Sequence, residues 1–159
     1  VDAPLHFISN GKSIDQMDPS IFVGPAFVIS LPDVKEIKSS DLEKIRLPLG
    51  VQKILFKTSN SSLWDKKNHK FKKDYVGLNP EAASWLARHK IELVGIDYLS
   101  IAKFAHSVVV HQILLKAGIA ILEGLNLSRV KNGKYQLICF PIKIINAEAG
   151  PVRAVLISK

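Results

Sequence analysis

At 159 residues the chain has the length of one domain with room for a sizeable core, and 47% of its residues are hydrophobic. Its apolar runs are too short to cross a membrane, so no membrane partner is expected. The net charge of +8 is compatible with a polyanionic partner. The single cysteine, Cys139, cannot form an internal disulfide bond, which favours a reducing, cytoplasmic setting.

Apolar, strand-like segments alternate with helix-like segments along the chain. The predicted helices and strands, in chain order, are a strand at 24–31, a helix at 41–45, a strand at 51–58, a helix from 79 to about 90, a strand at 92–97, a helix at 107–117, and strands at 119–122, 135–145 and 152–157. Ser40 is predicted to cap the first helix, and Asn79-Pro80-Glu81 to start the second. Gly118 is predicted to end the third. The alternation predicts an α/β fold in a single domain, residues 1–159.

A polar segment of about twenty residues follows the second predicted strand, which is long for a compact domain and makes it a candidate lid or substrate loop. It is rich in lysines, which flank His69 and Phe71: Lys66, Lys67, Lys70, Lys72 and Lys73. Lysines with an interleaved aromatic ring are compatible with binding to a phosphate backbone. Because no recognition helix or RNA-binding signature accompanies them, we interpret the segment as a solvated loop and expect no nucleic-acid partner. A strongly salt-dependent affinity for nucleic acid would contradict this interpretation.

Four titratable residues stand in apolar or unusual places. His111 lies in a helix that is otherwise almost entirely hydrophobic, and Glu123 ends a short apolar strand. A buried carboxylate is costly unless it is paired, hydrogen-bonded or bound to a cation. Taken alone, His111 is interpreted as a hydrogen-bonded core histidine and Glu123 as a cap. Together with Asp2 and His6, however, they would suit a divalent metal ion, and the spacing leaves open whether they meet.

Several motifs occur in one order along the chain: VDAPLHF, NGKSID, FVGPA, LNPEAASWL, VGID, HQILLKAGIAILEGL, FPIKI and GPVRAVLI. In these motifs the sequence, from Val1 to about Ile157, resembles the cyclase family of metal-dependent hydrolases. That family includes bacterial kynurenine formamidases and isatin hydrolases. The resemblance implies a swivelling β/β/α domain whose N-terminal strands have no counterpart in this sequence. It also implies assembly into homo-oligomers, either dimers or tetramers.

The family signature reads His-x-Gly-Thr-His-x-Asp-x-Pro-x-His, and this sequence begins after its second histidine. The resemblance implies that Asp2, His111 and Glu123 are metal ligands and that His6 is the histidine that transfers a proton. The implied cofactor is a divalent ion, zinc or manganese. Because three side chains make at most one ion site, and because Asp2 is expected to be poorly held so near the terminus, we expect at most one weakly bound ion.

The implied activity is hydrolysis of an amide, formamide or lactam bond of a small molecule by metal-activated water. Aromatic carboxylates are the candidate substrates. The alternative is a catalytically weakened or inactive family member that acts as a metal-binding or oligomer-forming protein. Either way, Asp2, His111 and Glu123 are predicted to converge on one cavity that His6 lines.

Overall fold

The structure, a computed structural model, describes residues 1–64 and 71–158. Within these residues one sheet of six strands has the order β4-β3-β2-β1-β5-β6. The strands are β1 (Val23–Leu31), β2 (Lys53–Thr58), β3 (Leu93–Ile96), β4 (Ala120–Leu122), β5 (Gly133–Ile138) and β6 (Val155–Ile157). Strands β1 to β4 are parallel, whereas β5 runs antiparallel to β1 and β6 antiparallel to β5. The carboxyl ends of β1 to β4 therefore all lie on the same side of the sheet.

Three α-helices lie on one face of this sheet: α1 (Ser39–Leu42), α2 (Pro80–Arg88) and α3 (Ser107–Lys116). Their apolar side chains pack on one side of the strands, and a second apolar cluster covers the opposite side. Apolar layers on both faces explain why β3 and β4 consist of buried residues throughout. This arrangement confirms the α/β class predicted from the sequence.

The helix ends agree with the sequence prediction except at α1. Asn79 caps α2, its Oδ1 accepting a hydrogen bond from the Ala82 amide at 2.9 Å, and Gly118 follows α3 with φ of +77°. The predicted capping role of Ser40 is wrong, because Lys38 occupies the cap position of α1. The Asp41 carboxylate there accepts a hydrogen bond from the Lys38 amide at 3.0 Å. Ser40 thus lies within the first turn of the helix.

The predicted strand at 135–145 is too long at its carboxyl end. Strand β5 ends at Ile138, and beyond it Pro141 makes only an isolated bridge to Val152. Proline has no amide to continue a ladder of hydrogen bonds, which explains why the strand stops. Cys139 therefore lies just past β5, where burial raises the pKa of its thiol to about 11.

The lysine-rich segment is described only in part. Lys66, Lys67, Lys70 and His69 lie outside the described residues. Beyond them, Lys73 places its Nζ 4.9 Å from the centre of the Phe104 ring. Over the described ranges, no helix is long and apolar enough to cross a membrane.

Gly77 is packed too closely to accept a side chain. A Cβ atom at Gly77 would lie 2.4 Å from backbone atoms of Ala102 and Lys103. Replacing Gly77 with Ala is expected to lower the free energy of unfolding by about 1–3 kcal/mol, because backbone cannot move aside as a side chain can. Urea unfolding measures this, with Gly150→Ala as the comparison, since φ is not positive at either glycine and the nearest atoms to a Cβ at Gly150 lie 3.3 Å away. Equal losses in the two variants would contradict the clash.

Candidate metal centre

Three separate segments bring a possible metal-binding group together. Asp2 comes from the N-terminal segment, His111 from α3, and Glu123 directly follows β4. One ligand atom from each side chain lies within 4.8 Å of the other two. The three ligand atoms thus meet at the carboxyl end of β4, while a cavity that these residues share with His6 stays a prediction.

Asp2 is held firmly, contrary to the expectation from its position near the terminus. Its amide donates to the carbonyl of Ile121 at 2.9 Å, and it forms bridges to both Ile121 and Ala149. The following amide, of Ala3, donates to the carbonyl of Glu148 at 2.9 Å. Hydrogen bonds on both sides of the segment fix the backbone, and the residue is only 9% exposed. The expectation of a poorly held Asp2 is therefore wrong.

His111 presents one ring nitrogen to the two carboxylates. Its Nδ1 lies 2.6 Å from the carbonyl oxygen of Ser107, which can only accept, so Nδ1 carries a proton. Its Nε2 lies 3.2 Å from Glu123 Oε1 and 3.8 Å from Asp2 Oδ2. The ring of Phe7 stacks on the imidazole, with centroids 4.5 Å apart. These contacts fix both the tautomer and the plane of a potential metal ligand.

Glu123 is oriented by the backbone of a neighbouring loop. Its Oε1 accepts a hydrogen bond from the Ile101 amide at 2.6 Å, in addition to its contact with His111. Both contacts fall on Oε1, so the second carboxylate oxygen remains available to a cation. The interpretation of Glu123 as a cap for the next turn is wrong, because the backbone amide that its carboxylate accepts belongs to Ile101, in an earlier loop.

The electrostatics of the centre favour a bound cation. Among the described residues, Asp2 Oδ2 is the one buried side-chain oxygen or nitrogen without a hydrogen-bond partner. Burial, and next the charge of Glu123, raise the pKa of Asp2 to about 6. Burial lowers the pKa of His111, but the hydrogen bond with Glu123 and the other nearby acceptors outweigh it, so that pKa is raised. Two carboxylates and an imidazole, with one carboxylate oxygen lacking a hydrogen-bond partner, fit a divalent ion such as zinc or manganese.

Both pKa shifts predict the same pH dependence for the metal-free protein. Because Asp2 has a pKa of 3.8 when unfolded and about 6 when folded, the native state binds more protons in this range, and stability falls as pH rises. The raised pKa of His111 extends the fall upward. Between about pH 4 and pH 6.5, wild type is expected to lose about 2 kcal/mol of stability relative to Asp2→Asn. Urea unfolding at several pH values tests this, and parallel curves for the two proteins would contradict it.

His6 lies beside the three ligands but outside their group. It ends a short 3-10 helix (Pro4–His6), and its ring centroid is 6.3 Å from that of His111. Its Nδ1 lies 3.3 Å from Glu148 Oε1. Phe7 and Glu148 are two further residues of the centre that were not predicted from the sequence. Phe7 could have been predicted, because it directly follows His6 in the motif VDAPLHF. Glu148 could not, because no local pattern connects it with a residue 142 positions earlier.

Comparison with known proteins gives consistent matches. The family model described as "Putative cyclase" matches residues 1–103. Cyclase-like protein 2 of Oryza sativa subsp. japonica is 35% identical, over 99% of this chain and 60% of the relative. Kynurenine formamidase of Bacillus cereus is 34% identical, over 98% of this chain and 73% of the relative. The chain thus spans about 60% of the length of the plant relatives.

Solved structures give the same result for the fold. A structure described as a potential metal-dependent hydrolase with cyclase activity superposes with a TM-score of 0.88 at 32% identity, covering 98% of this chain and 75% of that one. An isatin hydrolase bound to thioisatinate superposes with a TM-score of 0.80 at 20% identity, covering 99% and 70%. The second match concerns the fold alone. Together they confirm the fold that the sequence motifs implied.

Proposed function

The chain belongs to the cyclase family, and from this premise we propose that it is a metal-dependent hydrolase of an amide, formamide or lactam bond. One observation carries the proposal: ligand atoms of Asp2, His111 and Glu123 lie within 4.8 Å of one another. The name of the Bacillus cereus relative supports a small aryl formamide as substrate. We further propose that residues 1–159 form one domain of this family, in a cytoplasmic setting, with neither nucleic acid nor membrane as partner.

Asp2, His111 and Glu123 are the residues that would hold the ion, zinc or manganese. When bound, such an ion supplies a Lewis acid for the substrate carbonyl and lowers the pKa of a water molecule. The proton on His111 Nδ1 is engaged by Ser107, which reserves Nε2 for a ligand role. Phe7 covers the imidazole face and excludes water from it. Three side chains leave coordination positions open for substrate and water.

His6 is the proposed proton carrier. Contact between its Nδ1 and the Glu148 carboxylate orients the ring and leaves Nε2 free to hold or release a proton. The side chain is about one third exposed, and its ring centroid lies 6.3 Å from that of the ligand His111, which places it beside a substrate bound at the centre. In this proposal His6 delivers a proton to the leaving nitrogen, while Glu148 acts as the residue that positions it.

An assay of aryl formamide hydrolysis tests the proposed function. Metal-free protein is expected to be inactive, addition of zinc or manganese to raise the rate, and Glu123→Gln to remove the gain. Glu92→Gln is a suitable control, because Glu92 pairs with Lys53 rather than with the metal centre. A rate that is independent of added metal, or unchanged in Glu123→Gln, would contradict the proposal. Absence of turnover despite metal binding would favour the alternative of an inactive, metal-binding family member.

The exposed apolar side chains support a homo-oligomer. Six of them lie on β6 or on the segment that follows its partner strand β5, and we term this group the C-terminal apolar patch: Phe140, Ile142, Ile144, Ile145, Val155 and Ile157. Exposed apolar groups of this extent mark protein contacts, and β6 is an edge strand with free backbone groups. We propose that a dimer or tetramer covers this patch.

Replacing Ile142 and Ile145 with Ser is expected to shift the protein from oligomer to monomer, because both side chains would be buried between copies. Sedimentation velocity at micromolar concentration measures the change. Leu49→Ser is the matched control, since Leu49 is fully exposed but lies outside the patch. A wild-type monomer, or an oligomer that the double variant leaves intact, would contradict the proposed interface.

A further inference from the structure

Asp97 is a fully buried carboxylate that lies outside the metal centre. It directly follows β3 and has no exposed surface. Its Oδ2 accepts hydrogen bonds from the Thr58 amide at 2.7 Å, the Ser61 amide at 2.9 Å and the Ser61 hydroxyl at 2.6 Å. Its Oδ1 accepts from the Thr58 hydroxyl at 2.8 Å. Four donors converge on one carboxylate, which is a costly arrangement to bury and an effective one for fixing backbone.

These contacts join the ends of two neighbouring strands. Thr58 is the last residue of β2, and Ser61 lies in the 3-10 helix that follows it, Ser59–Leu63. The backbone of Asp97 adds a further contact, since its carbonyl accepts from the Trp64 indole Nε1 at 3.0 Å. The start of the segment after β3 is therefore fixed to the segment after β2.

The segment that Asp97 begins also supports Glu123. The Gly124 amide donates to the Tyr98 carbonyl at 2.7 Å, and the Ile101 amide donates to Glu123 Oε1 at 2.6 Å. At its far end the segment is fixed again, because the Ile101 carbonyl accepts from the Leu78 amide at 2.8 Å. Residues 97–101 thus form a short segment that is anchored at both ends. It contacts the Glu123 carboxylate and the backbone of Gly124.

We propose that Asp97 is a positioning residue that aims the Glu123 carboxylate through the amide of Ile101. Removing the charge of Asp97 leaves the donors of Thr58 and Ser61 without full partners, which loosens residues 97–101. The Ile101 amide then loses its fixed place, and Glu123 with it. The inference rests on the proposed function only in taking Glu123 as a metal ligand. Hydrogen bonds to a ligand, such as that from the Ile101 amide, set the direction in which its carboxylate points.

The decisive measurement uses metal-free protein and is therefore independent of catalysis. Hydrogen exchange of the Ile101 amide is compared with that of Leu55, in the central strand β2, which reports overall stability. In Asp97→Asn the Ile101 amide is expected to lose at least about tenfold more protection than Leu55. Leu137→Ala, which opens the core on the face of the sheet opposite the helices and lies two strands from Leu55, is expected to affect both amides equally. Equal losses in Asp97→Asn would overturn the inference, because they indicate a purely structural role.

Cobalt binding gives the second readout. Asp97→Asn is expected to weaken Co²⁺ binding by about 10–100-fold and to alter its visible absorption spectrum, whereas Leu137→Ala leaves both unchanged. Ser61→Ala removes a single hydrogen-bond donor to Asp97 and is expected to show a smaller change of the same kind. It provides the test if Asp97→Asn does not fold. An unchanged spectrum and affinity in the folded variants would overturn the inference. Failure of the wild type to bind cobalt would contradict the proposed function instead, while the exchange of Ile101 would still decide the role of Asp97.

Discussion

Replacing His111 with Gln is expected to weaken divalent metal binding by at least about 100-fold. This exceeds the usual effect of losing a residue that only orients a metal ligand through a hydrogen bond. The amide of Gln offers a poorer donor atom than imidazole and lacks the contact with Ser107 that aims Nε2. Two carboxylates would then remain without a neutral third ligand. Calorimetric titration of metal-free protein with zinc measures the affinity of variant and wild type.

The control for this change is His106→Gln, five residues earlier. His106 lies about half-exposed at the start of α3, with its Nε2 3.9 Å from Glu36 and outside the ligand group. Its replacement is expected to leave zinc affinity unchanged. Equal affinity in wild type and His111→Gln would contradict the assignment of His111 as a ligand.

Replacing His6 with Asn is expected to lower kcat for an aryl formamide by about 10²–10⁴-fold, the usual contribution of a positioned general acid or base. Metal affinity is expected to stay within about twofold, because His6 is not in the ligand group. Glu148→Gln is expected to lower kcat less, since it removes only the partner of Nδ1. Steady-state kinetics of metal-loaded protein, recorded over a range of pH, measure these effects.

Two outcomes would remove His6 from the proposed mechanism. One is a kcat of wild-type size with an unchanged pH profile. The other is a loss of rate in proportion to a loss of bound metal. His6 would then support metal binding rather than transfer a proton to the substrate. His89→Asn is the control, as His89 stacks on Trp85 in α2 away from the centre.

The parts of the fold that sequence predicted well are those set by local chemistry. The Asn79-Pro80 start of α2 and the glycine after α3 depend on capping and on a positive φ, which neighbouring residues specify. The end of β5 and the start of α1 were placed wrongly, because each depends on which of several adjacent polar or proline residues takes the terminal position. Such boundaries are decided by tertiary contacts, which spacing does not reveal.

The candidate site shows the same division. Asp2, His111 and Glu123 came from the resemblance to a family. The burial of Asp2 and His111 makes partners necessary, because unpaired polar groups are costly in apolar surroundings. The tight hold on Asp2 was missed, because its partners are backbone groups of β4 and of residues near 149. The amide of Ile101, which orients Glu123, has no side-chain signal at all. Long-range backbone contacts are therefore what the sequence could not supply.

The most direct test of a metal centre in this chain is anomalous diffraction at the zinc edge, from crystals grown with zinc. One anomalous peak per chain is expected, about 2 Å from Asp2 Oδ2, His111 Nε2 and a carboxylate oxygen of Glu123. The peak is predicted to vanish in crystals of Asp2→Asn. An empty centre in saturating zinc, or a peak only at other residues, would show that Asp2, His111 and Glu123 do not form a zinc site.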